Sequence, residues 1–470
     1  MRPSTTLKIT GLMTGLLSLV LIPVYLVAWL NDEGIANEYI KMFIVIAGLS
    51  YVVWHLNRRA SSQVKHANSF IIVSLIWLLF GFVGAIPFHW ILGISWCDGF
   101  FESMSGLTTA GATVLSGLDD MQHSILLYRQ LLQWLGGMGI IVLFVALFPA
   151  LNIGGLHLFK AEIPGPVKDE KLTPRLVHTA QYLWGIYVSI TALCTLAYAA
   201  AGMTWFDAIC HALTTISTGG FSTHDASLGY WDSPLIEGIA IVFMFIGAIN
   251  FSLHFGLFRR FSFRQYYRDS ESIWFLGIII GATVLITMTL VNHHYYPDTL
   301  TALRYAGFEV VSFITSTGYG TVDYSEWPTF LPLFLILISF AGGCAGSTAG
   351  GMKIVRVMFI WKGIAREMTR ISHPTAMVQL KHNHTIIEDT TANTILAFMF
   401  FYAFTALVFT LLLMACGLDM ISAFGAVAAS LNVSGPGLGE VVSSFASVSD
   451  GAKWLSSLAM VIGRLEIFTL

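Results

Sequence analysis

The phrase Thr317-Gly318-Tyr319-Gly320 has three degraded copies elsewhere in this 470-residue chain. They are Thr109-Ala110-Gly111-Ala112, Gly219-Gly220-Phe221 and Ser434-Gly435-Pro436-Gly437. Each copy follows an apolar segment of about three helical turns, which is too short to cross a bilayer. Longer apolar segments flank each copy. The pattern predicts four repeated units, each with a half-length helix that ends in a glycine loop.

The composition places the chain in a membrane. Hydrophobic residues make up 56% of it, charged residues only 11%, and the mean hydropathy is +0.73. Soluble domains carry about 25% charged residues, so this chain has too few to cover a soluble surface. The five cysteines lack metal-ligand spacing, and no nucleotide-binding loop or nucleophile motif occurs. The sequence therefore predicts a polytopic membrane protein that is not an enzyme.

Ten apolar runs are long enough to span a bilayer. They cover residues 11–30, 38–56, 69–92, 124–150, 180–202, 234–258, 273–292, 328–360, 391–416 and 453–470. Four short segments lie between them, at 96–108, 205–217, 299–316 and 419–433. Two leading spans therefore precede four units of span, half-span and span.

The charges alternate between the two sides of the membrane. Basic residues fill the N-terminus and every second linker: Arg2, Lys8, Arg58, Arg59, Lys65, Lys160, Lys168, Lys171, Arg175, Arg259, Arg260, Arg264, Arg268, Arg356, Lys362, Arg366, Arg370 and Lys381. The positive-inside rule makes that side, with the N-terminus, cytoplasmic. Only Lys41, Arg129, Arg304 and Lys453 map to the outer side. Acidic residues such as Asp225 and Asp323 fill the outer linkers; they are either solvated loop residues or a mouth that concentrates cations.

Glycine suits a loop that strips water from a monovalent cation. Such a loop must point backbone carbonyl oxygens at the ion, and the backbone angles that do so are resisted by a β-carbon. For a single copy the alternative is a helix C-cap or a packing contact. Four copies with the same flanking segments favour an ion-coordinating loop. The basic linkers recur on one side after each unit, so the repeats are parallel, which argues against an inverted-repeat symporter for an organic solute.

Five motifs resemble those of the Trk/Ktr/HKT superfamily of potassium transporters, and most closely its bacterial TrkH membrane subunits. They are Glu102-Ser-Met-Ser-Gly-Leu-Thr-Thr-Ala-Gly111, Gln133-Trp-Leu-Gly-Gly-Met-Gly139, Ser217-Thr-Gly-Gly-Phe221, Thr315-Ser-Thr-Gly-Tyr319 and Gly342-Gly-Cys-Ala-Gly-Ser-Thr-Ala-Gly-Gly351. The resemblance covers essentially the whole chain. It implies an all-α fold with pseudo-fourfold symmetry around a central pore, in which K⁺ is the permeant ion.

By the same resemblance, a potassium filter is formed by three residues of each copy. They are Ala110, Gly111, Ala112, Gly219, Gly220, Phe221, Thr317, Gly318, Tyr319, Ser434, Gly435 and Pro436. The third copy is the closest to the TVGYG phrase of potassium channels, and the other three depart from it. The chain divides into two N-terminal helices (1–66) and four pore units, at 67–175, 176–270, 271–385 and 386–470.

A second glycine-rich stretch interrupts the eighth span. Gly342, Gly343, Gly346, Gly350 and Gly351, with Ser347 and Thr348, disfavour a continuous helix at about 1 kcal/mol per glycine. Either the stretch is an intramembrane loop, or its GxxxGxxxG spacing forms a ridge for helix packing. The doubled glycines favour the loop, and the family resemblance implies that it gates the pore from below.

Arg464 lies inside the last span, where a charge is costly. It is either a positive barrier near the pore that pairs with loop oxygens, or a partner of Glu466 or a snorkelling residue. The family resemblance favours the barrier. The resemblance also implies a homodimer in a bacterial inner membrane and a cytoplasmic TrkA-type regulatory subunit that binds ATP, ADP or NAD. This chain carries no nucleotide or cofactor motif itself, so any response to these nucleotides would come from that subunit.

Overall fold

The computed structural model describes residues 3–60, 66–139, 173–260, 262–375, 378–383, 385–386 and 389–466. Within these ranges the regular secondary structure is helical apart from one short hairpin. Its two strands, of two residues each, are β1 (Lys381–His382) and β2 (Thr385–Ile386), which pair antiparallel. The predicted all-α class is confirmed. Arg2, Lys65, Lys160, Lys168, Lys171, the end of the fourth predicted span and residues 467–470 lie outside the described residues.

Seventeen α-helices occur in the described ranges. They are α1 (Pro3–Ser18), α2 (Leu21–Leu30), α3 (Ala36–Leu56), α4 (His66–Leu92), α5 (Trp96–Thr108), α6 (His123–Gly137), α7 (Thr173–Ala200), α8 (Trp205–Ile216), α9 (Pro234–Ala248), α10 (Phe251–Arg260), α11 (Ser270–Asn292), α12 (Thr299–Ile314), α13 (Leu331–Ser339), α14 (Ile354–Ser372), α15 (Asp389–Ala415), α16 (Met420–Leu431) and α17 (Asp450–Arg464).

Six stretches of the described chain are helical, long and apolar enough to cross a membrane. They are Ser4–Leu30, which joins α1 and α2, together with Ala36–Leu56, Ile72–Leu92, His178–Ala200, Ser270–Asn292 and Thr390–Ala415. Their outward faces carry apolar side chains such as Leu49, Leu196 and Phe400, each more than half exposed, as lipid contact requires.

The four predicted short helices are present as α5, α8, α12 and α16. A side chain caps the first turn of each, because the residue before it is Ser95, Thr204, Asp298 or Asp419, whose oxygen accepts a hydrogen bond from a first-turn amide. The caps are the local reason that these segments begin where they do. All four helices are mostly buried in the protein, which is the only place where a half-length span and its loop are tolerated at membrane depth.

The sixth predicted span, 234–258, is not continuous. Helices α9 and α10 meet at an angle of 102° around Ile249 and Asn250, and together they are long and apolar enough to cross a membrane. The break is stabilised from the eighth span, which is itself broken between α13 and α14. The amides of Cys344 and Thr348 donate to the carbonyls of Ala248 and Gly247, and the amide of Phe251 donates to the carbonyl of Gly346.

The two breaks therefore satisfy each other's backbone groups, which a bilayer would leave unpaired. The broken eighth span confirms the predicted non-helical loop at 342–351. The alternative of a continuous glycine packing ridge is wrong, because the GxxxGxxxG spacing makes a ridge only on a helix.

Candidate ion pathway

The four short helices end in the same backbone turn. Each is followed by a residue in the left-handed region, with a φ of 62° at Thr109, 52° at Thr218, 54° at Ser316 and 58° at Val433. The amide of the next residue donates to the carbonyl five positions back at 2.9 Å in all four copies, as in a Schellman turn. The helix is therefore closed by this left-handed residue, which is the C-cap or the residue after it, and not by the glycine of the phrase, so the C-cap explanation of the four glycines was wrong.

The glycine itself lies two residues beyond the cap and is also left-handed. The φ values are 79° at Gly111, 76° at Gly220, 79° at Gly318 and 85° at Gly435. We name the segments 109–112, 218–221, 316–319 and 433–436 glycine loops 1 to 4. They contain all twelve residues that the sequence places in the filter, and each loop has a left-handed φ at its first and third positions.

The glycines of the four loops face one another in a closed ring. A β-carbon on Gly111 would lie 2.2 Å from the carbonyl oxygen of Gly219, and one on Gly220 would lie 1.9 Å from that of Thr317. The ring continues from Gly318 to Ser434 at 2.2 Å and closes from Gly435 to Ala110 at 2.9 Å.

In every case the carbonyl belongs to the residue before the glycine of the next loop. The backbones thus approach so closely that side chains are excluded around the ring. Carbonyl oxygens from equivalent positions of the four loops thus lie in one ring, and backbone carbonyl oxygens are the donors that replace the water of a dehydrated monovalent cation.

A cavity of about 610 Å³ opens on one side of this ring. All four loop glycines line it, together with the acidic side chains of Asp225 and Asp323. This is the side that the charge pattern assigns to the exterior. Asp225 also accepts hydrogen bonds from the amides of Gly117 and Leu118, so it holds the mouth of the cavity together while it contributes negative charge.

Arg129 joins glycine loops 1 and 2 from behind. Its side chain is 1% exposed; Nε donates to Glu102 at 2.7 Å, Nη2 to the hydroxyl of Thr113, and Nη1 to the carbonyl of Ser222. The guanidinium also lies 4.1 Å from the centre of the Phe221 ring. The side chain of Phe221 therefore packs against the guanidinium of Arg129, and only the backbone of Phe221 faces the ring of carbonyls.

Gln133 fixes loop 2 through both ends of its amide. Nε2 donates to the carbonyl of Gly219 at 2.6 Å, and Oε1 accepts from the amide of Phe221 at 3.0 Å. The side chain is buried, and a β-carbon on Gly219 would collide with it at 2.5 Å. A single residue therefore holds the two peptide groups on either side of Gly220.

Loop 3 is held by its own tyrosine. The hydroxyl of Tyr319 lies within hydrogen-bond distance of Thr214 and Thr215 on α8 and donates to the carbonyl of His211. The Ser312 hydroxyl donates to the Tyr319 carbonyl at 2.6 Å. Tyr319 is fully buried, so its ring supports the loop from behind and only its backbone can face an ion.

The 342–351 segment seats against the inner ends of three loops. The hydroxyls of Thr218 and Thr348 are 3.2 Å apart, and the amide of Gly350 donates to Ser316 at 2.5 Å. A β-carbon on Gly350 would lie 2.2 Å from the carbonyl oxygen of Asn432. The segment therefore lies directly on the inner side of loops 2, 3 and 4.

The remaining predicted residues of this segment shape its backbone. Gly342, Gly346 and Gly351 have left-handed φ angles of 69°, 72° and 76°. A β-carbon on Gly343 would lie 3.0 Å from the carbonyl oxygen of Ala248, and the hydroxyl of Ser347 donates to the carbonyl of Cys344 at 2.6 Å.

Arg464 connects this segment to the first pore unit. Its guanidinium donates to the carbonyls of Thr348 at 2.9 Å and of Gly136 and Gly137 at 2.5 and 2.6 Å. Glu466, the alternative partner in the sequence, accepts a hydrogen bond from Arg356 at 2.6 Å. The structure thus places a positive charge on carbonyl oxygens of the 342–351 segment and of the C-terminal end of α6.

Sequence reasoning missed the groups that hold the glycine loops. Arg129, Arg304 and Lys453 map to the outer side as exceptions to the charge pattern, and in the structure they pair with Glu102, Glu237 and Asp98. One signal was present in the sequence: Glu102 and Glu309 both stand nine residues before a loop glycine. Gln133 carries no such repeat signal, because its partners are backbone groups from another repeat.

Comparisons with known proteins agree with this architecture. The model of the TrkH family, described as cation transport protein, matches residues 35–470. The Trk system potassium uptake protein TrkH of Salmonella typhimurium is 44% identical over 465 residues, which are 98% of this chain and 96% of that protein. The Trk system potassium uptake protein TrkG of Escherichia coli is 37% identical over 97% of this chain and 95% of its own length.

A solved structure has the same fold. The crystal structure of the potassium transporter TrkH from Vibrio parahaemolyticus matches with a TM-score of 0.90 and 42% sequence identity, and the match covers 100% of this chain and 98% of that one. These relatives are transporters, in agreement with the prediction that the chain is not an enzyme. The family model spans most of the chain and the relatives match over nearly their full length, so this chain belongs to the TrkH family of cation transport proteins.

Proposed function

We propose that the chain takes up potassium across a bacterial inner membrane through a K⁺-selective, gated pore. The observation that carries this proposal is the closed ring in which each loop glycine faces a carbonyl of the next loop. Backbone carbonyls replace the hydration shell of K⁺ without a counter-charge. The names of the relatives support potassium as the ion, since they are Trk system potassium uptake proteins.

The twelve residues predicted from the sequence would form the filter through their backbone. The acidic cavity outside the ring would concentrate cations before they enter. The short helices α5, α8, α12 and α16 end at the loops, so the negative ends of their dipoles would add to the attraction.

The experiment is cation flux in liposomes that contain the purified chain. We expect Rb⁺ and K⁺ to enter faster than Na⁺, and Gly111→Ser to raise the relative entry of Na⁺, because a side chain at Gly111 meets the Gly219 carbonyl. Uptake of a neutral amino acid without cation flux would instead support an organic-solute symporter and reject the pore.

The gate in this proposal consists of Gly342, Gly343, Gly346, Ser347, Thr348, Gly350, Gly351 and Arg464. The segment blocks the inner end of the path while it is seated on loops 2 to 4, and Arg464 holds it there through the Thr348 carbonyl. Replacement of Arg464 by Ala should therefore raise the basal leak. A loss of folded protein with no change in leak per molecule would assign Arg464 a structural role only.

The N-terminus and the basic linkers would face the cytoplasm. There α14 carries exposed charged side chains, Arg370 among them, beyond the gate segment that it directly follows. A TrkA-type subunit that binds ATP, ADP or NAD would act through this surface, and the chain would work as a homodimer. Arg370→Cys, made after the five other cysteines are replaced, allows cross-linking from this surface in membranes. The mass of the cross-linked product distinguishes a second copy of the chain from the regulatory subunit.

A further inference from the structure

The position nine residues before the loop glycine lies on the short helix of each of the four units. Its occupants in the four units are Glu102, His211, Glu309 and Ala426. The two glutamates are fully buried and hold the chain that follows their loops. Glu102 accepts from the hydroxyl of Thr113 and the amide of Val114, and Glu309 accepts from the hydroxyl and amide of Thr321. The two side chains thus make the same kind of link.

Their electrostatic surroundings differ. Arg129 Nε lies 2.7 Å from Glu102 Oε1, so a full positive charge faces the first glutamate. The donors to Glu309 Oε1 are both neutral, at 3.0 and 3.1 Å. Its second oxygen, Oε2, is buried and has no hydrogen-bond partner among the described residues. A carboxylate in that setting keeps its charge without compensation, which is costly.

The elements packed against α12 supply no free cation for Glu309 in the described chain. Arg304 on α12 itself is bonded to Glu237 on α9 and to Asp232. The single ionisable group of α11 is Glu271, whose carboxylate accepts from the amide of Ala345 in the gate segment. Helix α13 has no ionisable residue. The nearby tyrosines, 296 and 324, are neutral at physiological pH.

We propose that Glu309 binds a proton at neutral pH and stands as a neutral carboxylic acid behind glycine loop 3, whereas Glu102 behind loop 1 faces the guanidinium of Arg129. One repeated position is thereby paired with a cation in one unit and with a proton in another. Loss of the proton at alkaline pH places one uncompensated negative charge beside the third loop. That charge strengthens the attraction for cations beside loop 3. It also makes burial of the Glu309 carboxylate energetically costly.

The test is infrared difference spectroscopy of the full chain in detergent between neutral and alkaline pH. The wild type should lose a protonated-carboxyl C=O band as the pH rises. The comparison is made in a Glu271→Gln background, because Glu271 is a second buried carboxyl that would contribute its own band. In that background the Glu309→Gln variant should lack the band, because its amide is isosteric and does not titrate. The matched variant Glu102→Gln should retain it, since Glu102 faces the guanidinium of Arg129 and is not the group to which the proposal assigns the band.

Two results overturn the proposal: a band that persists in Glu309→Gln, or a wild type without a titrating band. Should Glu309→Gln fail to fold, Thr321→Val replaces it. That change removes the hydroxyl donor to Oε1 and should shift the band, and an unshifted band overturns the assignment. The inference rests on the proposed pore only in its consequence for cations. The infrared result does not depend on uptake, so a chain that fails to conduct K⁺ still gives a clear answer.

Discussion

The carbonyl oxygen of Thr317 lies 1.9 Å from the point where Gly220 would carry a β-carbon. The corresponding distance at Gly435 is 2.9 Å, to Ala110, so the ring of glycine loops is tighter between loops 2 and 3 than between loops 4 and 1. The four glycines therefore differ in the cost of a side chain, although their backbone angles are alike.

A β-carbon at Gly220 should be more damaging than one at Gly435. Both substitutions cost about 1 kcal/mol or more for the left-handed backbone, but Gly220→Ala must force two peptide groups much further apart than Gly435→Ala. We expect Gly220→Ala to abolish the preference for K⁺ over Na⁺ and Gly435→Ala to reduce it. The measurement is the competition of Na⁺ with Rb⁺ uptake in liposomes.

The matched control for the ring is Gly320→Ala, at the residue that directly follows loop 3. Gly320 does not have a left-handed φ, and nothing lies within 4 Å of its added β-carbon. The substitution should leave the ion preference unchanged. An equal loss in Gly320→Ala and Gly220→Ala would mean that the ring geometry is not the cause.

Replacement of Gln133 by Leu should loosen loop 2. The change leaves the Gly219 carbonyl and the Phe221 amide without their partner, and each buried unpaired group costs about 1–3 kcal/mol. We expect a lower melting temperature and increased Na⁺ entry, measured on the same preparation.

Gln130, one turn earlier on α6, provides the comparison. It is also fully buried, but neither its Oε1 nor its Nε2 has a hydrogen-bond partner among the described residues. Gln130→Leu should therefore be neutral or stabilising, because it removes polar atoms that gain nothing from burial. A similar loss of stability in both variants would contradict the role assigned to Gln133.

The pair of Arg129 and Glu102 should show strong coupling in a double-mutant cycle. Arg129→Met alone leaves the buried Glu102 side chain without its cation partner, and the loss of one partner of a buried ion pair costs about 3–5 kcal/mol. The double variant with Glu102→Gln removes both charges and should recover a large part of the melting temperature. Additive losses would show that the buried ion pair is not the source of the effect.

Alanine at Gly350 should unseat the gate segment. The added β-carbon would lie 2.2 Å from the carbonyl oxygen of Asn432. The hydrogen bond from the amide of residue 350 to the hydroxyl of Ser316 would lengthen as the segment moves away. We expect a higher open probability in planar bilayers. The control is Gly363→Ala on α14, where nothing lies within 4 Å, and an equal rise in that variant would point to a general loss of packing.

The sequence determined the class of protein, the four short helices and the conformation of the glycine loops, because these depend on local properties. The length of an apolar run decides whether it can cross a bilayer, and N-cap residues such as Asp298 decide where the half-length helices begin. Gly318 has a left-handed φ, which residues with a β-carbon rarely adopt. The same local logic predicted the non-helical break at 342–351.

The tertiary structure alone decided what holds these elements together. The bend between α9 and α10 exists because carbonyls at Gly247 and Ala248 find amides a hundred residues away in the gate segment. Likewise Arg129 is a brace and not a loop charge, because folding brings Glu102 to within 2.7 Å of it. Pairings of this kind depend on distances between repeats, and a linear pattern records only the spacing within each one.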